Sequence, residues 1–269
     1  MIVNLTQETA VALAAAREAG ALAKGLQGAV ATRLKEDGSP VSDADLAADA
    51  VIRHHLESHF PADAILSEEA PDVATRLANQ RLWIIDPIDG TREYLNGRAE
   101  WAVQIALAIG GRLVLGVVAI PGEDVVLVGI PGVGGTVVSP DGAVALVIHH
   151  QARDVLITSD SQRNRAGAQL VRAALPEFSA LHATSVGIKV WRMLQGRADL
   201  YVHPRRIAEW DVAAPAAVLL AAGGGATDLA GAEFRFNVAV PQAPGLVFST
   251  RPDHAALIAR LRQAQVGVA

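Results

Sequence analysis

The 269-residue chain has no cysteine. That excludes a disulfide framework, a thiolate metal site and a cysteine nucleophile. Aromatic residues amount to only 4%, too few for the stacking platforms on which single-strand nucleic-acid binders rely. Basic residues are in deficit, with 23 Lys and Arg against 28 Asp and Glu and a net charge of −5. The basic footprint of a nucleic-acid binder is therefore missing. No apolar run reaches the ~20 residues of a spanning helix. The longest uncharged stretches, Val125–Pro140 and Val212–Thr227, are both broken by Pro and Gly. The first twenty residues lack a basic start and carry Glu8, Arg17 and Glu18 where a signal core is apolar, so the expected location is the cytoplasm. What the chain has in quantity is apolar material, 51% hydrophobic against 19% charged. That excludes disorder, and the length predicts one or two domains.

The periodicity divides the chain. A helix is expected from a cap at Thr6 to about Gly25. After the polar turn Lys35–Pro40, Ser42 or Asp43 caps a second helix with Ile52, Leu56 and Phe60 on one face. Beyond Pro61 the pattern becomes strand-like. Ala64–Leu66 and Leu82–Ile85 are short apolar runs ending in acids, and Trp101–Ile109 alternates with period two. Arg112–Ile120, Asp124–Ile130 and Thr136–Ser139 read as antiparallel strands between Gly/Pro turns. The second half alternates strands at Asp154–Thr158, Asp199–Val202 and Leu246–Ser249 with helices at Asn164–Leu175, Gly187–Gln195, Val212–Ala222 and Asp253–Gln263. An antiparallel α+β half over residues 1–145 and an α/β half over 146–269 are expected, with the boundary near 139–153.

Chemistry concentrates at four acidic sites, each at the end of an element. In Asp86-Pro87-Ile88-Asp89-Gly90-Thr91, two aspartates leave a buried strand, Pro87 fixes the turn and Gly90 allows close backbone approach. Two carboxylates and the Ile88 carbonyl are hard oxygen ligands suited to Mg²⁺ or Ca²⁺. The N–H groups at Gly90 and Thr91 suit an anion. The others are Ser67-Glu68-Glu69, Glu209-Trp210-Asp211, and Asp43 with Asp45. Singly, each has a plainer reading as a turn or a helix cap. Together they invite a different one, because a folded αβ chain brings strand C-termini and helix N-termini to one crevice. Converging carboxylates do not all ionise without cations between them, and metals would let an acidic protein hold a phosphate. Other candidates are weaker. Gly132–Gly135 lacks phosphate-loop spacing and reads as a hairpin turn. Ala183–Gly187 lacks the first Gly of a nucleophile elbow. His55 and His59 have no third zinc ligand, and His149–His150 reads as a solvated linker.

Trp83–Thr91, with Ser67-Glu68-Glu69 upstream and Trp210-Asp211-Val212-Ala213-Ala214 downstream, resembles the inositol monophosphatase family of Mg²⁺-dependent, lithium-sensitive phosphatases. The likeness spans nearly the whole chain. It also takes in Lys35–Asp45, Gly187–Tyr201, Ala222–Gly224 and Leu229–Asn237. Within the family, Asp-Gly-Thr-Arg-Glu-Tyr and Glu-Trp-Asp resemble the 3'(2'),5'-bisphosphate nucleotidase (CysQ-type) branch. One departure is a stretch from Tyr201 to Ala208 shorter than in many nucleotidases.

The resemblance implies a layered αβαβα sandwich of the inositol monophosphatase/fructose-1,6-bisphosphatase type, with two to three Mg²⁺ per site. It implies that Glu68, Asp86 and the Ile88 carbonyl bind a first ion and that Asp86, Asp89 and Asp211 bind a second. A third, weaker ion would rest near Glu68. Thr91, paired with Asp45, would orient and deprotonate the attacking water, and the Gly90 and Thr91 amides would hold the phosphate. Ser185, Gly187, Lys189 and Glu209 match positions on the substrate side. The implied substrate is a small phosphorylated molecule, adenosine 3',5'-bisphosphate. The alternative is inositol monophosphate or a sugar phosphate such as fructose 1,6-bisphosphate. Proteins of this family are often homodimers.

Overall fold

The computed structural model describes residues 5–29, 31–34, 40–148, 152–159 and 166–264. The expected turn at 35–39, the helix start at 164–165 and the His149–His150 linker lie outside the described residues. In chain order the elements are α1 (Thr6–Leu26), β1 (Thr32–Leu34), β2 (Pro40–Ser42), α2 (Asp43–His59), β3 (Ala64–Ser67) and a 3₁₀ turn (Ala74–Ala78). Next come β4 (Arg81–Asp89), α3 (Thr91–Leu95), β5 (Ala102–Ile109), β6 (Arg112–Ile120), β7 (Val125–Ile130), β8 (Gly134–Ser139) and β9 (Gly142–Ala145). The remainder comprises β10 (Val155–Thr158), α4 (Ala166–Ala174), β11 (Ser179–His182), α5 (Val186–Leu194), β12 (Leu200–His203), β13 (Ile207–Ala208) and α6 (Glu209–Ala221). It ends with β14 (Gly225–Thr227), β15 (Gln242–Ala243), β16 (Leu246–Ser249) and α7 (His254–Gln263).

The larger sheet has seven strands in sequence order, β3 to β9. Only β3–β4 is parallel; every other neighbour pairs antiparallel. Period-two alternation makes it two-sided. Trp83, Ile85, Val103 and Ile105 pack one face against the alanines of α1 and the Ile52–Leu56 stripe of α2. Ile84, Ala102, Ala106 and Val118 pack the other face against α5 and α6. The second sheet runs β11-β10-β12-β16-β14, parallel through β12 and antiparallel beyond it. Its inner residues Ile157, Tyr201 and Phe248 join the same α5/α6 cluster, while Leu156, Val202 and Val247 meet α4 and α7 outside. The layers are therefore α1/α2, sheet, α5/α6, sheet, α4/α7, an αβαβα sandwich as the resemblance implies.

Local expectations shift at a few points. Leu5, not Thr6, occupies the cap position of α1. α6 opens at Glu209 rather than Val212, so Asp211 lies inside its first turn. The pattern overlooks β1–β2, β9, β11, β14 and the β13–β15 pair, all of two to four residues. Such edge and ribbon strands are too short to show an alternation. α6 sits hard against β6 because position 116 is glycine. A Cβ there would come 2.6 Å from the Ala214 carbonyl oxygen and 2.7 Å from Ala217 Cβ. Gly116→Ala is expected to lower stability by about 1–3 kcal/mol, measurable by urea titration, by pushing away the helix that carries Asp211.

Candidate active site

The site begins with an irregularity. β4 does not stop at Ile85 but continues to Asp89, with a register break opposite β5 between Asp86↔Gln104 and Asp89↔Ala102. Pro87 accounts for it, since a proline cannot donate to the ladder and is accommodated at a bulge. In a regular strand, residues three apart point to opposite faces. The bulge turns Asp89 back, and carboxylate oxygens of Asp86, Asp89 and Asp211 lie within 4.8 Å of one another. Asp211 arrives from the opposite half, on the first turn of α6. The Ile88 N–H donates to Asp86 Oδ1 at 3.1 Å, and Asp86 Oδ2 is buried without a partner.

An orphaned buried carboxylate oxygen beside two more carboxylates is a donor set made for a hard divalent cation. Electrostatics agree. Burial first, and then the neighbouring acids Glu68, Asp89, Asp211 and Asp45, push the Asp86 carboxyl well above its ordinary range. Burial, Asp89 and Glu68 do the same to Asp211. Glu68 follows β3 on a turn held by Ser67, whose hydroxyl donates to Asp49 Oδ1 and accepts the Glu69 N–H at 3.1 Å. It lies outside the tightest trio yet close enough to act on all three aspartates.

Asp45 plays two parts. At the start of α2 its Oδ2 accepts the Ser42 N–H at 2.8 Å and the Ser42 hydroxyl at 2.6 Å, a reciprocal cap. Its Oδ1 lies 3.2 Å from Thr91 Oγ1, which is also 3.1 Å from the Ile88 carbonyl oxygen. The single Thr91 proton is thus shared between two fixed acceptors. Gly90 makes the approach feasible with φ 104°, in the left-handed region, and a Cβ there would meet the Glu100 carbonyl at 3.1 Å.

Two cavities open beside Asp89. One, of about 570 Å³, is lined by Glu68, Asp89, Gly90 and Thr91, together with Arg92 and Glu93. The other, of about 300 Å³, is lined by Asp89, Lys189, Tyr201 and Asp211, and by Arg205 and Arg206. Ser159 and Thr184 border both, and nothing in the sequence pattern marks either one. A third cavity, between α1 and the β6–β7 turn, is remote from the carboxylates. Lys189 is buried and sits over the Tyr201 ring at 4.7 Å. It also donates to the Thr184 carbonyl oxygen. Burial lowers its pKa to about 8 against the pull of Asp89 and Asp211.

Three residues expected on the substrate side face elsewhere. Ser185 Oγ at 2.6 Å and Gly187 N at 2.9 Å both donate to Asp89 Oδ2, joined by Gln104 Nε2. They hold a carboxylate rather than line a cavity. Glu209 is 1% exposed, and its two oxygens accept the Asn237 and Val238 N–H groups at 3.0 and 3.1 Å. Asn237 and the Val238 carbonyl are tied in turn to buried Arg76. This network supports the start of α6 and is invisible to local pattern.

A five-layer αβαβα sandwich that brings together two buried carboxylates and a half-buried one fits a phosphoric monoester hydrolase of the kind that works with divalent metals. The chain belongs to the inositol monophosphatase family, whose model matches residues 4–266. It is 36% identical over 211 residues to the 3'-phosphoadenosine 5'-phosphate phosphatase of Mycobacterium tuberculosis, covering 76% of this chain and 74% of that one. It is 34% identical over 200 residues to the 3'(2'),5'-bisphosphate nucleotidase CysQ of Escherichia coli K12, covering 73% and 79%. Among solved structures, CysQ from Bacteroides thetaiotaomicron superposes with TM-score 0.78 at 23% identity over 92% of this chain and 99% of that one. An IMPase from Thermotoga maritima superposes with TM-score 0.81, also at 23%, over 98% and 100%. Among the described residues, no helix is long and apolar enough to cross a membrane.

Proposed function

We propose that the protein is a Mg²⁺-dependent phosphatase that removes the 3'-phosphate of adenosine 3',5'-bisphosphate, giving AMP and inorganic phosphate. The observation that carries the reading is the meeting of Asp86, Asp89 and Asp211 next to the Thr91–Asp45 pair. The names of the mycobacterial and enterobacterial relatives support the substrate.

Glu68, Asp86 and the Ile88 carbonyl would hold one cation, and Asp86, Asp89 and Asp211 another. When bound, such ions neutralise phosphate charge and make a nearby water more acidic. The chain's own residues supply position and proton handling. Thr91 Oγ1 takes a hydrogen bond from the attacking water while its own proton leans on Asp45 Oδ1, so the pair orients the water and draws off its proton. The Ser42 bonds on Asp45 Oδ2 keep that acceptor fixed. Attack on phosphorus in line with the ester oxygen breaks the P–O bond. The 3'-oxygen leaves as the alcohol after protonation from solvent. Positioning and charge neutralisation carry most of such a barrier.

Phosphate release from adenosine 3',5'-bisphosphate and inositol 1-phosphate, with Mg²⁺ and with EDTA, tests the reading. Preference for the nucleotide, lost in EDTA, is the expected result. Preference for the inositol ester would overturn the substrate while keeping the chemistry. The shortened Tyr201–Ala208 stretch is the feature that favours that second reading.

The raised carboxyls give a pH prediction. A carboxyl whose folded pKa lies above its unfolded value stabilises the fold when protonated, and that contribution fades as pH rises. Cation binding needs the ionised form and so gains over the same window. The Mg²⁺-induced rise in Tm is therefore expected to grow as pH rises above the ordinary carboxylate range. Thermal scans in Mg²⁺ and in EDTA check it; a shift that shrinks with pH would contradict the assignment of Asp86 and Asp211.

A further inference from the structure

α2 reaches the site at two points. Asp45 and Asp49 lie one turn apart on its buried face, the spacing that sets two side chains next to each other. Asp45 meets Thr91. Asp49 meets a different segment, the end of β3, where its Oδ1 accepts the Ser67 hydroxyl. Asp49 is 8% exposed and Ser67 3%. Among the described residues that is the one hydrogen bond of the Asp49 side chain, and no cation pairs with it. Arg53, the next base along α2, pairs with Glu57 at 2.7 Å instead. Burial accordingly pushes the Asp49 carboxyl above its ordinary range. A buried acid without a counter-charge costs stability, and the rest of this helix face is filled by Ala44, Ala48, Ile52 and Leu56. Packing alone does not account for an aspartate there.

The bond to Ser67 does account for it. A serine hydroxyl carries one proton and turns it to whichever acceptor is near. Asp49 takes that proton, which leaves the Ser67 oxygen to accept the Glu69 N–H at 3.1 Å. The Glu68 N–H is bound to the carbonyl oxygen of Ile85, the residue before Asp86, at 3.3 Å. The peptides on either side of Glu68 are thus both fixed, one to β4 and the other through Ser67 to α2. We infer that Asp49 is a positioning residue for Glu68, setting through Ser67 the angle at which the Glu68 carboxylate meets the cation it shares with Asp86. The inference rests on the metal assignment of the proposed function and deepens it. α2 then serves the reaction twice, steadying the water through Asp45 and Thr91 and the cation ligand through Asp49 and Ser67.

The test is calorimetric titration with Mg²⁺ alone, without substrate. D49A is expected to weaken Mg²⁺ binding roughly 10-fold or more, the scale of losing the support behind a metal ligand. S67A cuts the same link from the other end, leaves α2 untouched and should match it. Because the two residues act in series, D49A/S67A should bind within about twofold of the weaker single variant. D49N keeps an oxygen for the Ser67 proton and should stay within about threefold of wild type. In turnover, D49A should need more Mg²⁺ for half-maximal rate while KM at saturating Mg²⁺ stays within about twofold. D49N as weak as D49A would assign the effect to charge, and additive losses would make the residues independent; either overturns the link. So would S67A near wild type, or a D49A that melts lower in EDTA with its Mg²⁺ affinity intact, which would make Asp49 part of the fold alone. The same titration separates the two readings. If wild type binds Mg²⁺ but hydrolyses only inositol 1-phosphate, the proposed substrate fails and the role of Asp49 stands or falls on its variants. If wild type binds no Mg²⁺, both fall.

Discussion

Asp89→Asn is expected to lower kcat by roughly 10³-fold or more while the protein remains folded. Both halves of this result follow from the two oxygens of one carboxylate. Oδ2 accepts from Gln104, Ser185 and Gly187, and an asparagine carbonyl oxygen can take its place against all three donors. The side-chain NH₂ must then point where Oδ1 was, toward Asp86 and Asp211. A donor replaces a ligand and a charge is lost, with no change of shape. The variant in EDTA should melt no lower than wild type in EDTA, because one of three mutually repelling acids has gone. Its Tm should also respond less to Mg²⁺. Activity within a few fold of wild type would remove Asp89 from the metal assignment.

Thr91→Ala is the second large effect, a loss of roughly 10²- to 10³-fold in kcat with KM little changed. The hydroxyl lies between Asp45 Oδ1 and the Ile88 carbonyl oxygen, and alanine leaves both acceptors without their proton and the water without its partner. Thr91→Ser keeps the hydroxyl on the same turn and should recover to within about tenfold of wild type. That contrast distinguishes chemistry from packing, because serine loses the methyl as alanine does. A serine variant as slow as alanine would assign the loss to the missing methyl.

The parts of the site legible in the sequence were the ones that are local. Asp86, Asp89 and Thr91 share six residues, and the Pro87 and Gly90 between them announce an irregular backbone. Even so, the strand was expected to end where it bulges, since a bulge depends on the partner strand and Gln104 is fifteen residues away. Asp211 and Asp45 were legible as acids at element ends, each with helix capping as its plainer reading, and the resemblance supplied their roles. Asp45 is in fact both, a cap through one oxygen and a partner of Thr91 through the other. Least legible were contacts that join distant chain segments. Arg76 meets Asn237 across 161 residues, and Ser185 meets Asp89 across 96. No window of sequence contains both members of such a pair. The layers were readable because each long helix and central strand carries its own apolar period. The short strands β11, β13 and β15 carry none.

The bonds on Asp89 also tie two layers together. Oδ2 takes its hydrogen bonds from Ser185 and Gly187 at the start of α5, while the residue itself ends β4 of the larger sheet. The carboxylate is thus a rivet through two plates, and a change that slides the middle helices against the sheet reaches it directly.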